Sequence, residues 1–357
     1  MIKKLVLIGS FVILFIAGLY FLKDYHQLLN NKPAELDGRL KIGLSFDSLV
    51  VERWNRDMET FVSYANENNL EVIVQIANDD LTEQRKQIQY LIDENVAAIV
   101  LLPKSKDSFS DLIKQAKRKG IKIIAYDRLL TDAHADAYIT FDTVNIGEMI
   151  TETLINSMEQ QEREQYNLLI INGDPNDNNS YFLNQGFYNV LKASSNLNIN
   201  IVDEVWAHDW REIYAFNAVD KALSNGEQIH GIICANDVLA TGAIHSLSER
   251  QLAGKVPVVS QDSELSACQR IVEKTQLATV YKPINKLAKA AVDCTVKLIN
   301  NESLSEYDTI NDGTYFIPMI SIKCHLVNKA TIDELIIKSG FHSREDVYLN
   351  IKSRNPF

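Results

Sequence analysis

The sequence predicts an α/β protein built as two doubly wound parallel-sheet lobes and preceded by one N-terminal membrane helix. Three observations carry this expectation. At 357 residues the chain exceeds one ordinary hydrophobic core, so two lobes follow. From about residue 40, short β-rich runs alternate with amphipathic helical stretches, and the alternation restarts after residue 143. An apolar run fills residues 5–22, between Lys3-Lys4 and Lys23-Asp24.

That first run is the first element. A helix over residues 5–22 would be about 27 Å long, close to the hydrocarbon thickness of a bilayer. It ends Gly18-Leu19-Tyr20-Phe21-Leu22, a poor cleavage site, and no cysteine follows that could take a lipid. The reading is an uncleaved single-pass anchor in the cell membrane, positive end inside, with the remainder extracytoplasmic; a cleaved signal is the alternative. Residues 24–38 read as a polar tether, so that 1–38 form the anchor region.

In the first half, strands are expected at 41–45, 70–76, 98–102, 122–125 and 137–141, with helices at 53–68, 81–93 and 109–119. The last helix closes on Lys117, Arg118 and Lys119 followed by Gly120, cations in the final turn and a glycine past it. The run Ala98-Ile99-Val100-Leu101-Leu102 is apolar throughout, as a strand covered on both sheet faces should be.

In the second half, strands are expected at 167–172, 200–205, 231–234, 256–259 and 275–281. Helices are expected at 181–193, 210–223, 238–248, 265–274 and 284–300. From about residue 301 the pattern is less regular and is expected to pack across both lobes. The assigned division is 39–143 plus 283–312 for the first lobe, 144–282 plus 313–345 for the second, and 346–357 as a loose tail.

Composition excludes several functions. A net charge of -11 argues against nucleic acid, which a protein holds through clustered Lys and Arg. The seven histidines are scattered without ligand spacing, and no nucleotide loop or nucleophile elbow occurs, so neither metal, cofactor nor catalysis is expected. Cys234, Cys268, Cys294 and Cys324 have no C-x-x-C spacing; buried free thiols are the first reading and a disulfide the other.

The residues that follow the strands point to a ligand. They are Phe46 with Asp47 and Arg53-Trp54, then Asp127-Arg128, Asp177-Asn178-Asn179, Asp209-Trp210, Asn236-Asp237, Gln261-Asp262 and Lys282. Facing α/β lobes gather such positions in one cleft. A pyranose offers adjacent hydroxyls that Arg, Asn and Asp can engage in pairs, and apolar C–H faces that suit an indole. Taken singly, Asp-Arg or Asn-Asp after a strand is an ordinary helix cap, and Trp54 or Trp210 an ordinary core anchor.

The ordered set Lys41-Ile42-Gly43, Glu52-Arg53-Trp54, Ala125-Tyr126-Asp127-Arg128, Asp177-Asn178-Asn179, Asn236-Asp237, Ser260-Gln261-Asp262, Val280-Tyr281-Lys282-Pro283 and Ser339-Gly340-Phe341-His342 resembles the D-xylose-binding periplasmic proteins, over about residues 40–345. The resemblance implies the type I periplasmic-binding-protein fold, with lobes joined by three hinge strands. It implies a D-xylose or related monosaccharide site formed by Arg53, Trp54, Asp127, Arg128, Asn179, Trp210, Asn236, Asp262 and Lys282, to which the strand-end positions add Asn178 and Phe46. Phe46 departs from the aliphatic residue usual there, and Val50 stands where a basic residue is common. With an anchor, the resemblance implies a receptor that signals to a membrane sensor histidine kinase of a two-component system; the alternative partner is the permease of an ABC sugar importer.

Overall fold

The structure, a computed structural model, describes residues 33, 35–36, 38–49 and 52–351. The expected anchor at 5–22, most of the tether and the last residues of the tail lie outside these. Among the described residues no helix is long and apolar enough to cross a membrane.

The first lobe holds β1 (Glu35–Leu36), β2 (Arg39–Phe46), α1 (Glu52–Glu67), β3 (Leu70–Ile76), α2 (Leu81–Asp93), β4 (Ala98–Leu102), α3 (Ser110–Arg118), β5 (Lys122–Tyr126) and β6 (Ala137–Phe141). The parallel order runs β3-β2-β4-β5-β6, with β1 a short antiparallel attachment to β2. Strand β4 shows why its sequence is apolar without alternation. Ala98, Val100 and Leu102 belong to the core on one face, and Ile99 and Leu101 to the core on the other, beneath α2 and α3.

The second lobe repeats the plan with α4 (Thr143–Glu159), β7 (Tyr166–Asn172), α5 (Asn178–Ala193), β8 (Ile199–Trp206), α6 (Glu212–Ser224), β9 (Gly231–Cys234), α7 (Asp237–Glu249), β10 (Val258–Val259), α8 (Leu265–Glu273) and β11 (Ala278–Tyr281). Its sheet runs β8-β7-β9-β10-β11 and ends on an antiparallel strand, β14 (His325–Asn328). Helix α4 was not expected. Its sequence is rich in Thr and Ile and carries Gly147, yet Ile146, Ile150, Leu154 and Met158 recur at helical spacing and are fully buried. Gly147 lets α4 and α5 touch through their backbones: a Cβ there would stand 2.4 Å from the Leu183 carbonyl oxygen.

The chain crosses between lobes three times: from β6 to α4, from β11 to α9 (Ile284–Ile299), and from β13 (Phe316–Ile322) to β14. The stretch 313–322, assigned from sequence to the second lobe, belongs instead to the first. Strand β13 pairs in parallel with β6 from Met319↔Tyr138 to Ile322↔Phe141, and antiparallel with β12 (Asp308–Asn311). The tail is also shorter than expected. Helix α10 (Arg344–Val347) docks on α8, burying Val347 with Cys268 and Ile271, and Tyr348 donates to Asp333 Oδ1 at 2.8 Å. All four cysteines are free and buried.

Candidate ligand site between the lobes

The strand order reverses between β2 and β4 in the first lobe and between β7 and β9 in the second, and loops at the strand C-termini open at such a switch point. From the first lobe, β2 leads to the start of α1, which presents Arg53 and Trp54, while β5 leads to Asp127 and Arg128. From the second, β7 leads to Asp177 and Asn179, β8 to Trp210, β9 to Asn236, β10 to Gln261 and Asp262, and β11 to Lys282. These residues line one pocket of about 380 Å³, including its opening. Asp127, Trp210 and Asp262 take left-handed backbone at φ 62°, 55° and 110°. For non-glycine residues such conformations are uphill and are held by the surrounding structure.

The lining is charge-balanced: Arg53, Arg128 and Lys282 against Asp127, Asp177 and Asp262. Arg53 donates from Nη2 to Asp127 Oδ1 at 3.0 Å and from Nε to Asp57 Oδ2 at 3.2 Å. Arg128 donates to Asp47 Oδ2 at 2.6 Å and to the Pro103 carbonyl at 3.1 Å. Its Nε lies 2.7 Å from Asp177 Oδ2, an ion pair across the cleft that is not aligned as a hydrogen bond. Lys282 Nζ stands 2.9 Å from Asp262 Oδ1 in the same unaligned manner. Asn179 joins the lobes by donating to the Asp127 carbonyl at 3.0 Å.

Burial alone would push the Asp127 carboxyl up, but Arg53, Lys282 and Arg128 outweigh it and hold it below the usual range. Burial wins at Asp177, which is raised despite Arg128. Both guanidinium groups would lose charge by burial, but their carboxylates more than compensate and keep them cationic. Among the side chains that line the pocket, each cation is matched by a carboxylate, so the pocket suits a neutral ligand.

Two indoles complete it. Trp54 lies under the Arg53 guanidinium at 4.1 Å from the ring centroid, and Trp210 packs on Gly173 just past β7. Trp54 Nε1, Trp210 Nε1, Arg128 Nε, Gln261 Oε1 and Asp262 Oδ1 are buried and lack a hydrogen-bond partner among the described residues. Buried polar groups are normally paired, so donors and acceptors gathered in one pocket call for a ligand carrying both.

Of the residues expected from sequence, Arg53, Trp54, Asp127, Arg128, Asn179, Trp210, Asn236, Asp262 and Lys282 are brought together. Two are not. Phe46 is 1% exposed and lies behind Trp54, ring centroids 6.1 Å apart, as core rather than lining. Asn178 opens α5, earlier than expected, and its amide donates to the Leu129 carbonyl at 3.1 Å, a contact between lobes outside the pocket. Gln261 and Asp177 line the pocket too, outside the expected set; both stand beside expected residues at strand ends, and Asp177 also caps α5 by accepting from Asn179 N.

A second layer lies behind the pocket, of which the sequence showed only Asp237, as part of the Asn236-Asp237 pair. Asp57 sits behind Arg53. Asp237, buried beneath Asn236, accepts from Ser260 and Thr279 side chains and from Glu264 N, tying the ends of β9, β10 and β11 together. Burial pushes the Asp237 carboxyl up to about 6, against its hydrogen-bond donors. Among the described residues no cluster of His, Cys, Asp and Glu could hold a metal.

The model of the periplasmic binding protein domain matches residues 42–303. The D-xylose-binding periplasmic protein of Haemophilus influenzae is 36% identical over 311 residues, 87% of this chain and 92% of that one. Its Escherichia coli counterpart is 35% identical over 322 residues, 90% and 96% of the two chains. Among solved structures, an ABC transporter solute-binding protein from Clostridium phytofermentans with bound β-D-glucose superposes with a TM-score of 0.78 at 24% identity. It covers 86% of this chain and 99% of its own.

Proposed function

This chain belongs to the periplasmic binding protein domain family, and from that footing we propose that it is an extracytoplasmic monosaccharide receptor with D-xylose as its ligand. The observation that carries the reading is the charge-balanced pocket with unpaired donors, unpaired acceptors and two indoles contributed by both lobes. The names of the relatives at 35–36% identity favour xylose within that class. Three or four charge-assisted bonds at about 1.5–3 kcal/mol each, with a stacked ring adding about 1 kcal/mol, offset association and reach micromolar affinity. Binding rather than catalysis is the role, since each carboxylate lining the pocket has a cation against it.

Because the ligand touches both lobes, it favours the arrangement in which they are close, and that closed surface is what a membrane partner would read. The resemblance to periplasmic binding proteins supports delivery to the permease of an ABC importer. The apolar run at 5–22, without a cleavage site or lipid cysteine, favours a tethered receptor that signals to a membrane histidine kinase. A thermal-shift screen of pentoses, hexoses and polyols tests the sugar class: a rise with D-xylose above all others is expected, and no rise with any of them would end the reading. Pull-down from native membranes decides the partner: a permease without a kinase overturns the signalling version.

A further inference from the structure

Asp57 does not line the pocket, yet it is 0% exposed and placed one turn after Arg53 on α1. Its Oδ2 accepts from Arg53 Nε at 3.2 Å, and its Oδ1 accepts from the Tyr126 hydroxyl at the end of β5. The next residue along β5 is Asp127, whose Oδ1 takes Arg53 Nη2 at 3.0 Å. The guanidinium is therefore clamped at two nitrogens from two directions, which fixes both its position and its rotation. The remaining N–H groups, on Nη1 and the second of Nη2, are left for a ligand.

We infer that Asp57 is a positioning residue for ligand capture, a carboxylate behind the pocket that sets the Arg53 guanidinium and makes affinity depend on pH in the mildly acidic range. This rests on the sugar reading above. The charged and titratable groups that act on Asp57 are Arg53 on its own helix, Tyr126 on β5 and Asp127 just past it. Burial pushes the Asp57 carboxyl up to about 6, while Arg53 and the Tyr126 hydroxyl pull it down and Asp127 adds to the rise. Below that pH the carboxyl is neutral. Arg53 then keeps one counter-charge in place of two and is drawn toward Asp127. If the ligand needs the clamped guanidinium, it binds the deprotonated form better, and affinity falls as pH drops through the transition.

The test is calorimetric titration of the full-length chain with D-xylose from pH 5 to 8, for the wild type, Asp57→Asn and Tyr126→Phe. Wild-type affinity is expected to fall below about pH 6. Asp57→Asn, which keeps shape without charge, is expected to bind about tenfold more weakly at pH 7.5 and to lose the transition. Tyr126→Phe removes a donor that lowers the Asp57 value, so the transition should move to higher pH. That shift depends on titration, not on folding, and so stands even if Asp57→Asn melts early. A flat wild-type profile, or one unchanged by both substitutions, overturns this inference alone. Binding of no sugar by the wild-type protein removes the sugar reading and this inference with it.

Discussion

Trp210 lays the outer edge of its six-membered ring so close to Gly173 that a Cβ at position 173 would stand 2.1 Å from Cη2. The glycine just past β7 is thus part of how β8 delivers its indole, and the same Cβ would stand 2.5 Å from Ser180 Oγ on α5. Of the two neighbours, Trp210 lines the pocket, so displacing it moves the pocket wall.

Gly173→Ala is accordingly expected to displace Trp210, weaken D-xylose binding at least about tenfold, and lower stability by about 1–3 kcal/mol through overpacking. Calorimetry checks the first effect and thermal melting the second. Affinity within twofold of wild type would show that the indole position does not matter.

Asn236 caps a helix and lines the pocket, and substitution can separate the cap from the proposed ligand contact. Its Oδ1 caps α7 by accepting from Leu239 N at 2.9 Å, and its amide nitrogen has no protein partner among the described residues. Asn236→Ala loses both and should cost about 1 kcal/mol of stability besides affinity. Asn236→Asp keeps the cap and loses the donor, so melting within about 2 °C of wild type with at least tenfold weaker binding is expected. Unaltered affinity in the Asp variant would remove Asn236 from the ligand contacts.

At the cleft mouth, Lys104 Nζ reaches Asp79 of its own lobe at 2.5 Å and Asp209 of the other at 2.9 Å. Exposed pairs of this kind contribute about 0.2–1 kcal/mol each and are screened by salt. Lys104→Met should speed sugar release about two- to fivefold at low salt without altering the inner pocket, and should abolish the salt dependence of that rate. Stopped-flow fluorescence of Trp54 and Trp210 reads it; equal release rates at low salt would dismiss the latch.

Asp312 binds the 131–135 loop to the turn after β12. Its carboxylate accepts from Ala133 N, His134 N, Thr314 N and Tyr315 N at 2.7–3.2 Å. Burial would push this carboxyl up, but the four amides outweigh it and hold it below the usual range. A folded-state value below the unfolded one means stability that is full above about pH 4 and lost as pH falls through the folded value. Asp312→Asn should therefore melt well below wild type at pH 7, with the gap narrowing below about pH 4. A gap independent of pH down to acid unfolding would contradict the linkage.

How much of this was legible in the sequence follows from what kind of signal each feature leaves. A buried strand such as Ala98–Leu102 leaves a run of apolar residues that survives any tertiary context, and its bounds match the expected ones to the residue. Pocket residues at strand ends leave a positional signal, which is how Arg53, Asp127 and Asn236 emerged together. Phe46 leaves the same signal, but a side chain's direction depends on the pleat, and its ring points into the core behind Trp54. Asp57 left no signal, and Asp237 stood in the sequence only beside Asn236, because their roles come from partners 69 and 42 positions away, Tyr126 and Thr279. The return of the chain through β13 was likewise hidden, since strand pairing across distant segments is written in no local pattern.

A crystal structure grown with D-xylose tests the central claim most directly. One pyranose held between the lobes is expected, within hydrogen-bond distance of Arg128 and Asn236, with a ring face against an indole and the Gln261 and Asp262 oxygens that lack a hydrogen bond now accepting one. A pocket occupied by water alone, with xylose absent or bound elsewhere on the surface, would contradict it.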